Sequence, residues 1–179
     1  MKFTLKDIVF AAIVAAAMNV LSFVTVPLVV ALPIPGIRVV VVAPFYGLLL
    51  ALALMRIKKT GTASLISFLT GAVLLFVGPV ILVFLMASGI VTDLLIYLFW
   101  RDMEKPANII LGSASYLAVM VPFGSFFGSI MIQDTPLAEL ITQWWLVLLV
   151  SLAAFLLGAA GAFLGVKSNK ELKGFSMMK

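Results

Sequence analysis

Asp93, in the segment Gly89-Ile-Val-Thr-Asp-Leu-Leu-Ile-Tyr97, is a carboxylate set inside a long apolar run of this chain. An ionised acid in such surroundings is costly, so it must be paired, solvated or put to use. Three uses are open: a structural or coupling-interface pairing, contact with a ligand, or proton transfer. The chain contains neither His nor Cys. That removes the commonest general base, the usual metal ligands and the thiolate nucleophile. Asp93 with a Ser or a Lys is a poor remainder for a nucleophile–base pair or a metal centre. The expectation is a protein that binds rather than catalyses, with no cofactor and no metal.

Several side chains are suited to holding a ligand. Arg38 follows the stiff run Ala31-Leu-Pro-Ile-Pro-Gly-Ile, in which Pro33, Pro35 and Gly36 break any helix. It either snorkels to the headgroups or caps a pocket that attracts an anionic or carbonyl-rich ligand. Gln143-Trp144-Trp145 reads first as an interfacial aromatic belt. At 100° per residue at most one of the two indoles faces inward, where it could stack on a flat ligand while Gln143 supplies hydrogen bonds. Tyr116, Met120, Phe123 and Ser125 flank Pro122, whose ring frees a backbone carbonyl, and Gly124 and Gly128 allow close helix contact. Asn19 suits an interhelical hydrogen bond, and Gly158, Gly161 and Gly165 suit packing.

The elements that must position these groups are membrane helices. Of 179 residues 64% are hydrophobic and 11% charged, and the mean hydropathy is +1.28. A soluble chain of this size could not bury so much apolar surface. Spans of roughly 20 residues fit at 8–30, 39–55, 62–77, 79–99, 107–132 and 137–166, the short third one separated from the fourth by Gly78-Pro79. Threaded so, Lys2, Lys6, Arg56, Lys58, Lys59, Arg101, Lys105, Lys167, Lys170, Lys173 and Lys179 share one side, and Arg38 alone lies on the other. A single crossing over 62–100 would scatter them across both faces. The positive-inside rule therefore selects an all-α integral membrane protein: one compact bundle of six transmembrane helices, both termini cytoplasmic. The net charge of +5 reads as topology and not as nucleic-acid binding.

The first span reads Phe10-Ala-Ala-Ile-Val-Ala-Ala-Ala-Met-Asn19. Ala11 and Ala15, and likewise Ala12 and Ala16, repeat at small-xxx-small spacing, which lets another helix approach closely. The stripe serves either internal packing or a membrane partner, and it begins within one turn of the cytoplasmic surface.

An N-terminal Lys, an Ala-xxx-Ala first helix and six spans in about 180 residues resemble an S component of an energy-coupling factor (ECF) transporter. Arg56-Ile-Lys-Lys-Thr-Gly61 and the Gly89–Tyr97 segment are similar to members tied to thiamine-precursor uptake. The resemblance implies a multi-pass substrate-binding subunit in the cell membrane of a prokaryote. It would capture a vitamin or related micronutrient from outside and release it by reorientation of the bundle. Its partners would be a transmembrane coupling subunit, met by Ala11, Ala12, Ala15 and Ala16 and in one reading by Asp93, and two cytoplasmic ATPases. In this family the first external loop lies over the substrate, which favours the capping role for Arg38 and a ligand-level position for Tyr116, Met120, Phe123 and Ser125. The competing expectation is a self-contained small transporter or channel acting as a homo-oligomer.

Overall fold

The computed structural model describes residues 3–30, 37–100, 102–131 and 143–176, with side chains over 3–25, 37–100, 102–127 and 143–169. Pro33, Pro35 and Gly36, positions 132–142 with the expected start of the sixth span, Arg101 and Lys179 lie outside the described residues, as do the surroundings of Gly128 and the side chains of Lys170 and Lys173. Among the described residues the chain is helical: α1 Leu5–Val30, α2 Ile37–Ile57, α3 Thr62–Leu74, α4 Pro79–Phe99, α5 Pro106–Met131 and α6 Trp144–Ser176. Five of these are long and apolar enough to cross a membrane, and α3 is a shorter apolar helix. Its 13 residues rise only about 20 Å, against a hydrocarbon core of roughly 30 Å.

Local chemistry accounts for the helix ends. α1 opens at Leu5 and not at position 8 because Thr4 and Asp7 cap each other. The Thr4 hydroxyl accepts the Asp7 amide at 3.3 Å and the Asp7 carboxylate accepts the Thr4 amide at 2.9 Å. α3 stops at Leu74, short of the expected 77. The Val77 and Gly78 amides fold back onto the Leu74 carbonyl, and Pro79 disfavours helical backbone at Gly78 while fitting the first turn of α4. α6 runs past 166 to Ser176. The stretch Lys167-Ser-Asn-Lys-Glu-Leu-Lys173 contains neither Gly nor Pro to end it.

α2 is central, packed on α1, α5 and most extensively α6; α6 also lies on α5, while α3 and α4 pair and bridge α1 to α5. Without a hydrophobic force between helices in lipid, close backbone approach must supply the contact. The α2–α6 seam meets that need. A Cβ on Gly161 would land on the Pro44 carbonyl, and one on Gly47 would land on the backbone of Gly158. Large apolar side chains such as Phe68, Leu94, Leu148 and Phe163 point outward instead, as lipid-facing positions should.

Polar contacts gather the basic residues at one end of the bundle. Lys59 reaches Asp7 at 2.6 Å and Lys58 reaches Glu104 at 3.6 Å, tying α1, the α2–α3 turn and the α4–α5 loop together. Asn169 of α6 joins them, donating to the Met55 sulfur at 3.3 Å. Arg38 sits at the other end of α2, 18 residues or about 27 Å from Arg56.

Candidate functional site

At the Arg38 end, α1 to α5 enclose a cavity of about 270 Å³, comparable to about nine water volumes. Its walls come from the last described turns of α1, the first of α2, the end of α3 with Val77, the start of α4, and Met120 and Gly124 of α5. From Arg38 at the mouth to Tyr46, both of which line it, the cavity runs about 12 Å along α2. The lining is mainly aliphatic and aromatic. Ser22, Arg38, Tyr46 and Thr70 are its polar members.

Those polar groups are placed by α1. Asn19, Ser22 and Thr25 recur every three residues, and all three are buried, so α1 presents a polar stripe inward from an otherwise apolar helix. The Ser22 hydroxyl accepts Arg38 Nη2 at 2.6 Å, with the Ser22 carbonyl at 3.4 Å from the same nitrogen. Tyr46 donates to the Met18 carbonyl at 2.9 Å, which pins α2 to α1 beside the cavity. Asn19 donates to the Thr70 carbonyl at 3.5 Å. Beyond that bond, Asn19 Oδ1 and Thr70 Oγ1 are buried with no hydrogen-bond partner. An unpaired buried polar atom costs about 1–3 kcal/mol, and Thr70 carries that cost on the wall of the cavity.

The residues expected from sequence to bind a ligand fall into three groups. Arg38 and Met120 line the cavity. Tyr116 is fully buried below it, in the core, where its hydroxyl accepts Ser67 Oγ at 3.1 Å. Phe123, Ser125 and Gln143 are half-buried and lie off the lining, and Trp144 and Trp145 are 73% and 50% exposed on the outside of α6. Ser22, Tyr46 and Thr70 also line the cavity and are not among the residues expected from sequence. The three-residue recurrence of Asn19, Ser22 and Thr25 was the available signal for the first of them.

The four alanines divide by face. Ala11 and Ala15 are buried in the core, whereas Ala12 and Ala16 are exposed on the outer surface of α1. Asp93 is occupied elsewhere. It accepts the backbone amides of Ala63 and Ser64 and the Ser64 hydroxyl, serving as the amino-terminal cap that Gly61, with no side chain, cannot provide. Gly89, one turn earlier on α4, makes room for this; a Cβ there would strike Ser64 and Ser67 of α3.

Among the described residues the chamber is mainly apolar with one cation, Arg38, on its lining, the composition usual for small-molecule pockets. Phe23, Phe84 and Met120 supply a body-sized apolar surface, and the guanidinium and hydroxyls supply orientation. No family model matches the chain, and neither a curated protein nor a solved structure matches it.

Proposed function

We propose that this chain is the substrate-binding subunit, or S component, of an ECF-type ATP-driven importer. In this reading it is a six-span protein of a prokaryotic cell membrane with both termini cytoplasmic. It captures a vitamin or related micronutrient from outside and releases it after docking to a transmembrane coupling subunit that two ATPases drive. The observation that carries the reading is the mainly apolar cavity lined by Arg38, at the end of the bundle opposite the clustered Lys and Arg residues. Positive charge marks the cytoplasmic side, so the cavity faces out.

Two further features support it. Ala12 and Ala16 leave a small-residue face open on α1 toward the basic end, suited to close approach by a partner helix. Asp93 is committed to capping α3, which favours a passive binding body over a proton-coupled carrier. The chain itself performs no covalent step, and ATP hydrolysis belongs to the partners.

The test is co-purification of the tagged protein from gently solubilised native membranes, with proteins and retained small molecules read by mass spectrometry. Recovery of a membrane coupling subunit with ATPases is expected. A homo-oligomer without ATPases, in a detergent that preserves such complexes, would instead favour a self-contained transporter.

A further inference from the structure

We infer that the cavity selects a small monocarboxylate with an uncharged, largely apolar body, the carboxylate seated on Arg38 and Ser22. The inference rests on reading this cavity as the capture site, and it adds the chemical class of what is captured.

Among the described residues Arg38 is the one cation that lines the cavity, and no acid lines it. Among the described acids, Asp7, Asp102 and Glu104 lie at the opposite end of the bundle and Asp93 is held by α3. Arg38 is therefore not neutralised by any described carboxylate. It is also not extended away from the bundle, as a side chain snorkelling into the headgroups would be. Nη2 turns across to α1 and spends itself on Ser22. Among the described residues Nε and Nη1 make no hydrogen bond. A guanidinium presents five donors in a planar fork matched to a carboxylate, so the free edge of Arg38 has the geometry for a bidentate anion.

Charge count sets the valence. One guanidinium balances one negative charge. A phosphate monoester carries about −1.5 to −2 at neutral pH and would leave charge uncompensated against a mainly apolar wall. A cation would meet Arg38 with no acid among the described lining residues to hold it. The wall dictates the rest of the ligand, because Val42, Ile81, Phe84, Leu85 and Met120 offer it no polar partner. The small volume keeps the body to about one ring or a short chain.

The test uses the isolated subunit in phosphatidylcholine nanodiscs and three near-isosteric probes: 3-phenylpropionate, 3-phenylpropionamide and 3-phenylpropylamine. Equilibrium binding and ligand-induced shift in melting temperature are measured for each. The carboxylate is expected to bind at least tenfold tighter than the amide, and the amine weakest. Arg38→Gln should reduce the carboxylate's advantage over the amide to within twofold, and Arg38→Lys, which keeps charge but loses the fork, should fall between. Equal binding of amide and carboxylate, a preference for the amine, or no saturable binding of any probe at millimolar concentration would overturn the inference. So would undiminished selectivity in Arg38→Gln. Loss of carboxylate binding in phosphatidylglycerol discs would overturn it in favour of an anionic lipid headgroup on Arg38. Because no coupling subunit is present, failed selectivity leaves the importer reading standing, and failed recovery of ATPases leaves the selectivity standing.

Discussion

Asp93 on α4 and Ser64 on α3 are joined twice through one oxygen: Oδ2 accepts the Ser64 amide at 2.7 Å and the Ser64 hydroxyl at 2.5 Å. Oδ1 adds the Ala63 amide at 3.2 Å. In lipid an uncapped helix end has no water to turn to. Asp93→Ala is expected to lower unfolding stability by about 1–3 kcal/mol, and Asp93→Asn by less, since its amide oxygen still accepts. Thermal unfolding in nanodiscs measures both. A normal melting temperature in Asp93→Ala would remove the capping role.

The two alanine faces of α1 should separate folding from coupling. Ala11→Trp drives a large ring into the core and is expected to cost at least the 1–3 kcal/mol typical of overpacking. Ala12→Trp projects outward, so melting temperature and ligand affinity should stay at wild-type values while ATPase-dependent uptake is lost. Uptake that survives Ala12→Trp would place the partner contact elsewhere.

Gly161→Ala and Gly124→Ala differ only in where the new methyl falls. At Gly161 it meets the Pro44 carbonyl, whereas at Gly124 nothing lies within 4 Å. The first should destabilise by several kcal/mol or prevent assembly of the α2–α6 seam. The second should fold normally, its methyl entering the cavity that Gly124 lines. Comparable yields and melting temperatures for the two would refute the seam.

Trp144→Ala and Trp145→Ala are expected to leave ligand affinity within twofold of wild type, because both indoles lie on the outer surface of α6 and away from the cavity lining. Binding assays on the two variants decide the matter. A tenfold loss in either one would restore a stacking role.

Thr70→Val exchanges the unpaired hydroxyl for a methyl of the same shape. The variant should be at least as stable as the wild type, by up to about 1 kcal/mol, and its ligand affinity should change by less than twofold. Paired melting and binding measurements test this, and a variant that melts earlier would mean the hydroxyl has a structural partner.

Charge was the legible part of this chain. Arg38 and Asp93 stand out because ionisable groups are rare in apolar helices, and both prove to make specific contacts between helices. Hydroxyls were harder to read. Thr25, Ser88, Thr92 and Ser113 each donate to a carbonyl four residues back in their own helix, a bond open to any Ser or Thr in such a helix. Nothing local distinguishes Ser22 or Thr70 from these; only the neighbouring helix does. The aromatic residues left two readings open in the same way, since sequence surroundings alone do not separate a Trp at a membrane surface from a Trp in a pocket. Helix ends followed Pro and Gly closely, but the reciprocal cap of Thr4 and Asp7 moved one start and the turn onto Leu74 moved one end.

The brevity of α3 makes bilayer thickness a variable that acts on the cavity. A helix about 20 Å long in a core of roughly 30 Å is mismatched, and lipid answers by thinning or the bundle by tilting, at fractions of a kcal/mol per Å. The deficit is felt at the free end of α3, the turn where Leu74 and Val77 line the cavity and Phe76 stands 96% exposed. A thick, ordered membrane would press on that turn and a thin one would relieve it, so the grip on a ligand becomes a property shared between the protein and the lipid around it.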